Sequence, residues 1–155
     1  MAILGPMELA SRSIGSAMVS QNQITAFYLS QEALEYIRNI RDNNLINSLP
    51  WISGGNLDEC TGNDCIIDVP NSTLGDPSGN ITACIGTCPK LKYDDAGGYY
   101  YNHISGNETI FTRKARIITP VNGNSDEAKI EITTSWDEKT GTRSVYLEEY
   151  VFNWR

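Results

Sequence analysis

The apolar positions of this chain change their period along its length. From Gln23 to Asn43, QITAFYLSQEALEYIRNIRDN, they recur every three or four residues. At about 100° per residue, Ala26, Leu29, Ala33, Tyr36, Ile37 and Ile40 share one sector, with Gln31, Glu35, Arg38 and Asp42 opposite. This pattern predicts an amphipathic helix with one face to bury. Ile24, Phe27, Tyr28 and Leu34 fall outside that sector. They are either extra core or a surface for a partner.

The preceding stretch, Met1 to Asn22, has a thinner pattern. Met7, Ile14 and Met18 are spaced by seven and four, which places them on one helical stripe. Ser11, Ser13, Ser16 and Ser20 dilute the rest, and Gly15 costs about 1 kcal/mol relative to Ala in a helix interior. Joined to the next segment, it would make one rod of about 35 residues, or about 50 Å. A break at Gly15 is the alternative. The helix should stop near Asn43–Asn44, before Pro50.

Trp51 to Tyr101 shows no long period. SGGN, TGND, DPSGN and DAGG are turn signals. Between them lie short strand candidates at Cys65–Val69, Ile81–Ile85 and Gly98–Ile104. From Glu108 onward the period becomes two. Phe111, Arg113, Ala115 and Ile117 share one side of TIFTRKARIIT, and Ile130, Ile132, Thr134 and Trp136 share one side of EAKIEITTSW. In the last strand Val145, Leu147 and Val151 lie on one face. Tyr146, Tyr150, Phe152 and Trp154 lie on the other, which suggests that this second face is also partly covered. Alternating segments joined by short turns predict an antiparallel meander. The expected architecture is α+β: a long N-terminal helix packed on an antiparallel sheet, with a loop-rich region between. One domain spans 1–155, divided into a helix (1–44), a loop-rich region (45–107) and the sheet (108–155).

Composition narrows the partners. The chain has 155 residues, enough for one domain with a real core, and a net charge of -7. An acidic chain is poorly suited to nucleic acid, whose phosphates need Lys and Arg, so no nucleic acid is expected. A single histidine, His103, leaves no paired-histidine chemistry. No apolar run reaches the ~18 residues needed to cross a bilayer. MAILGPMELA lacks the basic start and cleavage site of a secretory signal. No catalytic residue, cofactor or metal site is expected. The Asn122–Glu127 run carries alternating oxygen side chains, but lacks the distal glutamate of a calcium loop and reads as a hairpin turn. N-x-S/T triplets occur at Asn71, Asn80 and Asn107.

The four cysteines form two close pairs, Cys60/Cys65 and Cys84/Cys88. Disulfides are the leading reading, ahead of free thiols and a four-thiolate zinc site. If Cys65–Val69 and Ile81–Ile85 form a hairpin, nested bridges Cys65–Cys84 and Cys60–Cys88 follow from its geometry, and chain entropy favours them. Local bridges, Cys60–Cys65 and Cys84–Cys88, are the alternative.

LSQEALEYIRNIRDNN, a Trp shortly after it, the Cys65–Asp68 element, FTRKARI and KIEITTSWDEKTGTRSVYLEEYVFNW together resemble bacterial type IV pilin-like proteins. Minor pilins and type II secretion pseudopilins are the nearest kinds. The resemblance covers nearly the whole chain except the family's basic leader and the apolar first half of its long helix. It implies that the chain begins inside that helix, and that the missing segment holds it in the inner membrane before assembly. Other pilin or pseudopilin subunits would then be its partners, at the cell surface or in a secretion filament. In that case Met7, Ile14, Met18, Ile24, Phe27, Tyr28 and Leu34 are the candidate contact residues. A secreted or cell-surface module that binds a ligand through Tyr99–Tyr101 and the C-terminal aromatics is the alternative.

Overall fold

The computed structural model describes residues 4–69, 81–95, 100–139 and 141–153, with the backbone alone at 4–11 and Tyr100. Asn71, Asn80, Tyr99 and Trp154 lie outside the described residues, as do the side chains of Met7 and Tyr100.

One helix, α1, runs without interruption from Leu4 to Ile46, 43 residues, or ~65 Å at 1.5 Å per residue. It is longer than the expected rod, and Gly15 does not break it. Nothing lies within 4 Å of where a Cβ on Gly15 would stand, so the glycine is tolerated in open space rather than required. The helix ends where Ser48 turns left-handed (φ 56°), with the Leu49 amide donating to the Asn44 carbonyl at 2.8 Å. The buried Asn44 side chain then donates to the carbonyl of Gly54 at 3.0 Å. A Cβ on Gly54 would sit 2.7 Å from Asn44 Oδ1, so a larger residue there would displace the Asn44 side chain. A 3-10 turn at Gly54–Cys60 follows.

The strands are β1 (Cys65–Ile67), β2 (Ile81–Ala83), β3 (Lys92–Asp94), β4 (Tyr100–Asn102), β5 (Asn107–Glu108), β6 (Phe111–Ile118), β7 (Glu127–Glu138) and β8 (Gly141–Phe152). Five make one antiparallel sheet in the order β2-β1-β6-β7-β8, and three make a small sheet in the order β4-β3-β5. The β6–β7 connection tightens at Asn122 (φ 49°) and Gly123 (φ 82°), the left-handed pair of a two-residue hairpin turn.

The expected faces of β6 and β7 hold: Phe111, Arg113, Ala115, Ile117, Ile130, Ile132, Thr134 and Trp136 are all buried. Ala33, Ile37 and Ile40 of α1 join Ile130, Ile132, Ala115, Ile117 and Leu147 in one core cluster. Ala26 and Leu29 join Phe111, Trp136, Leu91 and Val145 in a second. Leu34, expected with the surface residues, packs against the first cluster. It lies within about 60° of Ile37 on the wheel, at the margin of the buried stripe.

Three further expectations change. The bridges are local, Cys60–Cys65 and Cys84–Cys88, with Cα separations of 5.0 and 5.1 Å. The hairpin between β1 and β2 exists, but Cys65 stands opposite Ala83, and the Cys84 amide donates to the Asp64 carbonyl. Cys84 is therefore one residue out of step with Cys65, and alternation turns its side chain to the other face. On the second face of β8, Tyr146, Tyr150 and Phe152 are exposed rather than covered by a second layer of described residues. The sheet's only helical layer among the described residues lies on its opposite face and does not cover them. Tyr101 instead packs on Tyr93 and Phe111, with ring centroids 5.1 and 6.0 Å away.

Candidate assembly surface

The surface of interest is created by how firmly one half of α1 is held and how little holds the other. The clamp is Arg113, only 1% exposed on the helix-facing side of β6. Its Nη1 donates to the Leu29 carbonyl at 2.9 Å and to Glu32, and its Nη2 donates to the Ile67 carbonyl at 2.7 Å. One guanidinium therefore ties α1, β6 and β1 together, using the fixed fork of donors that a lysine lacks. Beside it the buried Ser30 hydroxyl donates to Thr134 Oγ1 at 2.8 Å, and Arg38 reaches Glu149 on β8. These contacts set the direction in which α1 leaves the sheet.

Ala26 is the first buried residue of α1 among those whose side chains are described. The helix before it amounts to about 22 residues, or ~33 Å. Ile14 and Met18 are 63% and 61% exposed. Ile24, Phe27 and Tyr28 are also exposed; Ile24 and Tyr28 lie opposite the docked sector, and Phe27 lies at its flank. Phe27 and Tyr28 meet edge to face, with ring centroids 6.1 Å apart. From Ile14 to Tyr28, α1 thus carries exposed apolar residues on two sides, near the extension of its buried stripe and at its back. Contiguous exposed apolar residues of this kind mark an interaction site.

The buried cluster next to Arg113 is polar. Asp68 Oδ1 accepts the His103 amide at 3.4 Å, and Asn102 Oδ1 accepts the amides of Ile104 and Ser105, each at 2.7 Å. Both ring nitrogens of His103 are buried without a hydrogen-bond partner. Burial, then the charge of Arg113, hold His103 down at about 4, with Lys92 adding to the effect and Asp68 opposing it. The imidazole is therefore neutral at physiological pH.

On the outer face Asp64 binds both Lys114 and Arg116, at 2.7 and 2.8 Å. Burial raises its carboxyl pKa, but the two cations outweigh this and the net shift is downward. The charges there satisfy one another. Among the described residues no group of three His, Cys, Asp or Glu side chains could hold a metal ion, and no helix is long and apolar enough to cross a membrane. The two disulfides are the chemistry of an oxidising, extracytoplasmic environment.

No known family matches this chain, and no curated protein or solved structure does either.

Arg113 was the functional residue easiest to overlook in the sequence. Its signal was a charge on the apolar side of an alternating strand, a placement that requires partners when buried. Glu32 and Ser30 on α1 and Asp68 after β1 carried no local signal, because the two stretches meet only in the folded chain.

Proposed function

We propose that this chain is a structural subunit of a bacterial filament, a minor pilin or type II secretion pseudopilin, that assembles through the N-terminal half of α1. One observation carries the reading: α1 outruns its own sheet by ~33 Å with apolar side chains exposed on two sides. A domain does not gain by ordering such a rod in water, since short helices without tertiary packing are marginal. Other copies of the same rod supply the missing packing, and a bundle of them accounts for apolar residues on more than one side. Before assembly, the resemblance implies, the subunit is held at the inner membrane. The sheet, with its disulfides, faces the extracytoplasmic side or the cell surface.

Cysteine cross-linking in the native cell tests this. All four native cysteines are engaged, so an added thiol is unique. Under mild oxidation, Ile14→Cys and Met18→Cys should each give covalent dimers, while Ser125→Cys in the β6–β7 turn should not. If the helix variants stay monomeric, the ligand-binding reading through Tyr146, Tyr150 and Phe152 replaces this one.

A further inference from the structure

β8 is an edge of the five-stranded sheet. Its register with β7 is unbroken from Glu127–Phe152 to Glu138–Gly141, without a bulge. It contains neither proline nor lysine, two of the usual guards on a sheet edge. The opposite edge, β2, is three residues long. Among the described residues nothing pairs with the free side of β8. That edge is a row of backbone donors and acceptors with a defined register available to it.

We propose that two copies of this chain pair antiparallel along β8, about a two-fold axis through Tyr146. In an isologous pair with its axis normal to the sheet, facing residues share a face, so the axis must pass through a residue. Centred on Tyr146, Arg143 of each copy faces Glu149 of the other. Val145 faces Leu147 and Ser144 faces Glu148, and the pairing runs from Gly141 to Val151. Within each copy Arg38 already binds Glu149, and Arg143 already binds Glu138 at 2.7 Å. The pairing joins these into alternating chains, Arg38–Glu149–Arg143–Glu138, that cross the interface twice. No other centre gives this match. An axis at Val145 sets Arg143 against Leu147. One at Leu147 sets Arg143 against Val151 and Val145 against Glu149. One at Glu148 or Glu149 sets a carboxylate against itself.

The helices do not obstruct the pairing. α1 lies over β6, β7 and β8, more on the last two. With strands ~4.8 Å apart, the two helices would run roughly 10–14 Å apart, at or beyond the ordinary helix packing distance. The result is a ten-stranded sheet with both helices on one face. This closed dimer involves β8 and not the projecting helix, so it is independent of filament assembly.

Sedimentation velocity on the purified chain, from micromolar to millimolar, tests it. A concentration-dependent dimer is expected, weakened at least tenfold by Glu149→Arg and restored by combining it with Arg143→Glu. Under mild oxidation Tyr146→Cys should give a disulfide-linked dimer. Ser144→Cys should not, because its own counterpart lies about 13 Å away across the axis. A wild-type monomer throughout the range overturns the proposal. So does a dimer indifferent to the charge exchange, or equal cross-linking at both positions.

Discussion

The two halves of α1 share one backbone geometry and differ in everything that surrounds it. From Ala26 to Asn44 the helix places Ala26, Ala33 and Ile37 at zero exposure against the sheet and is bound by Arg113, Thr134 and Glu149. From Arg12 to Thr25 no described side chain is fully buried. The docked half is held by tertiary packing. The projecting half, with Gly15 and four serines at Ser11, Ser13, Ser16 and Ser20, has weak intrinsic propensity and is held largely by continuity with the docked half. A helix can thus be one element and two energetic regions. The region without packing in its own domain is the one free to pack on something else.

Breaking the clamp should show the largest effect. Arg113→Met removes the guanidinium that joins α1, β6 and β1, so that the Leu29 and Ile67 carbonyls lose its hydrogen bonds and Glu32 loses its cation. A loss of about 3–5 kcal/mol is expected in a denaturant titration, as when one partner of a buried charged network is removed. A loss below 1 kcal/mol would mean that apolar packing alone docks the helix.

Ile37→Ala should cost about 2–5 kcal/mol, the usual range for a large-to-small change at a fully buried site. The matching change in the projecting half, Met18→Ala, should alter stability by no more than ~0.5 kcal/mol. Equal losses would erase the distinction between the halves.

Acidification should act on the polar cluster beside the clamp. His103 titrates at about 4 when folded and near 6.5 when unfolded. The unfolded chain therefore binds the extra proton between those values. The stability that depends on a neutral His103 is complete above about pH 6.5, falls as pH drops, and levels off below about pH 4. The partly buried ring warrants a discounted figure of roughly 1–3 kcal/mol. His103→Gln should remove that part of the pH dependence, which a comparison of the two stability profiles from pH 3 to 8 would measure. Parallel profiles would mean the ring is open to solvent in the folded chain.

Gly15→Ala should have the smallest effect and the most local one. The added Cβ meets nothing within 4 Å, and the helix gains about 1 kcal/mol of propensity there. Amide hydrogen exchange should slow near residue 15 while the global unfolding midpoint stays put. A raised midpoint would show that the projecting half unfolds together with the sheet.

Local periodicity determined much of this fold. The face of α1 that docks, and the buried faces of β6 and β7, follow from spacings of three to four and of two. Those spacings act between residues close in the chain and need no knowledge of what lies across the core. The small sheet was harder to read, because β3 and β5 are three and two residues long and carry no period. Tertiary structure alone decided the disulfide pairing, since a shift of one residue in the β1–β2 register exchanges one set of partners for another. It alone converted Arg113 from a misplaced charge into a clamp, because its acceptors lie 84, 81 and 46 residues away in the chain. It also decided that Tyr146, Tyr150 and Phe152 stay exposed, since a strand's pattern shows that two faces differ and not which of them receives a second layer.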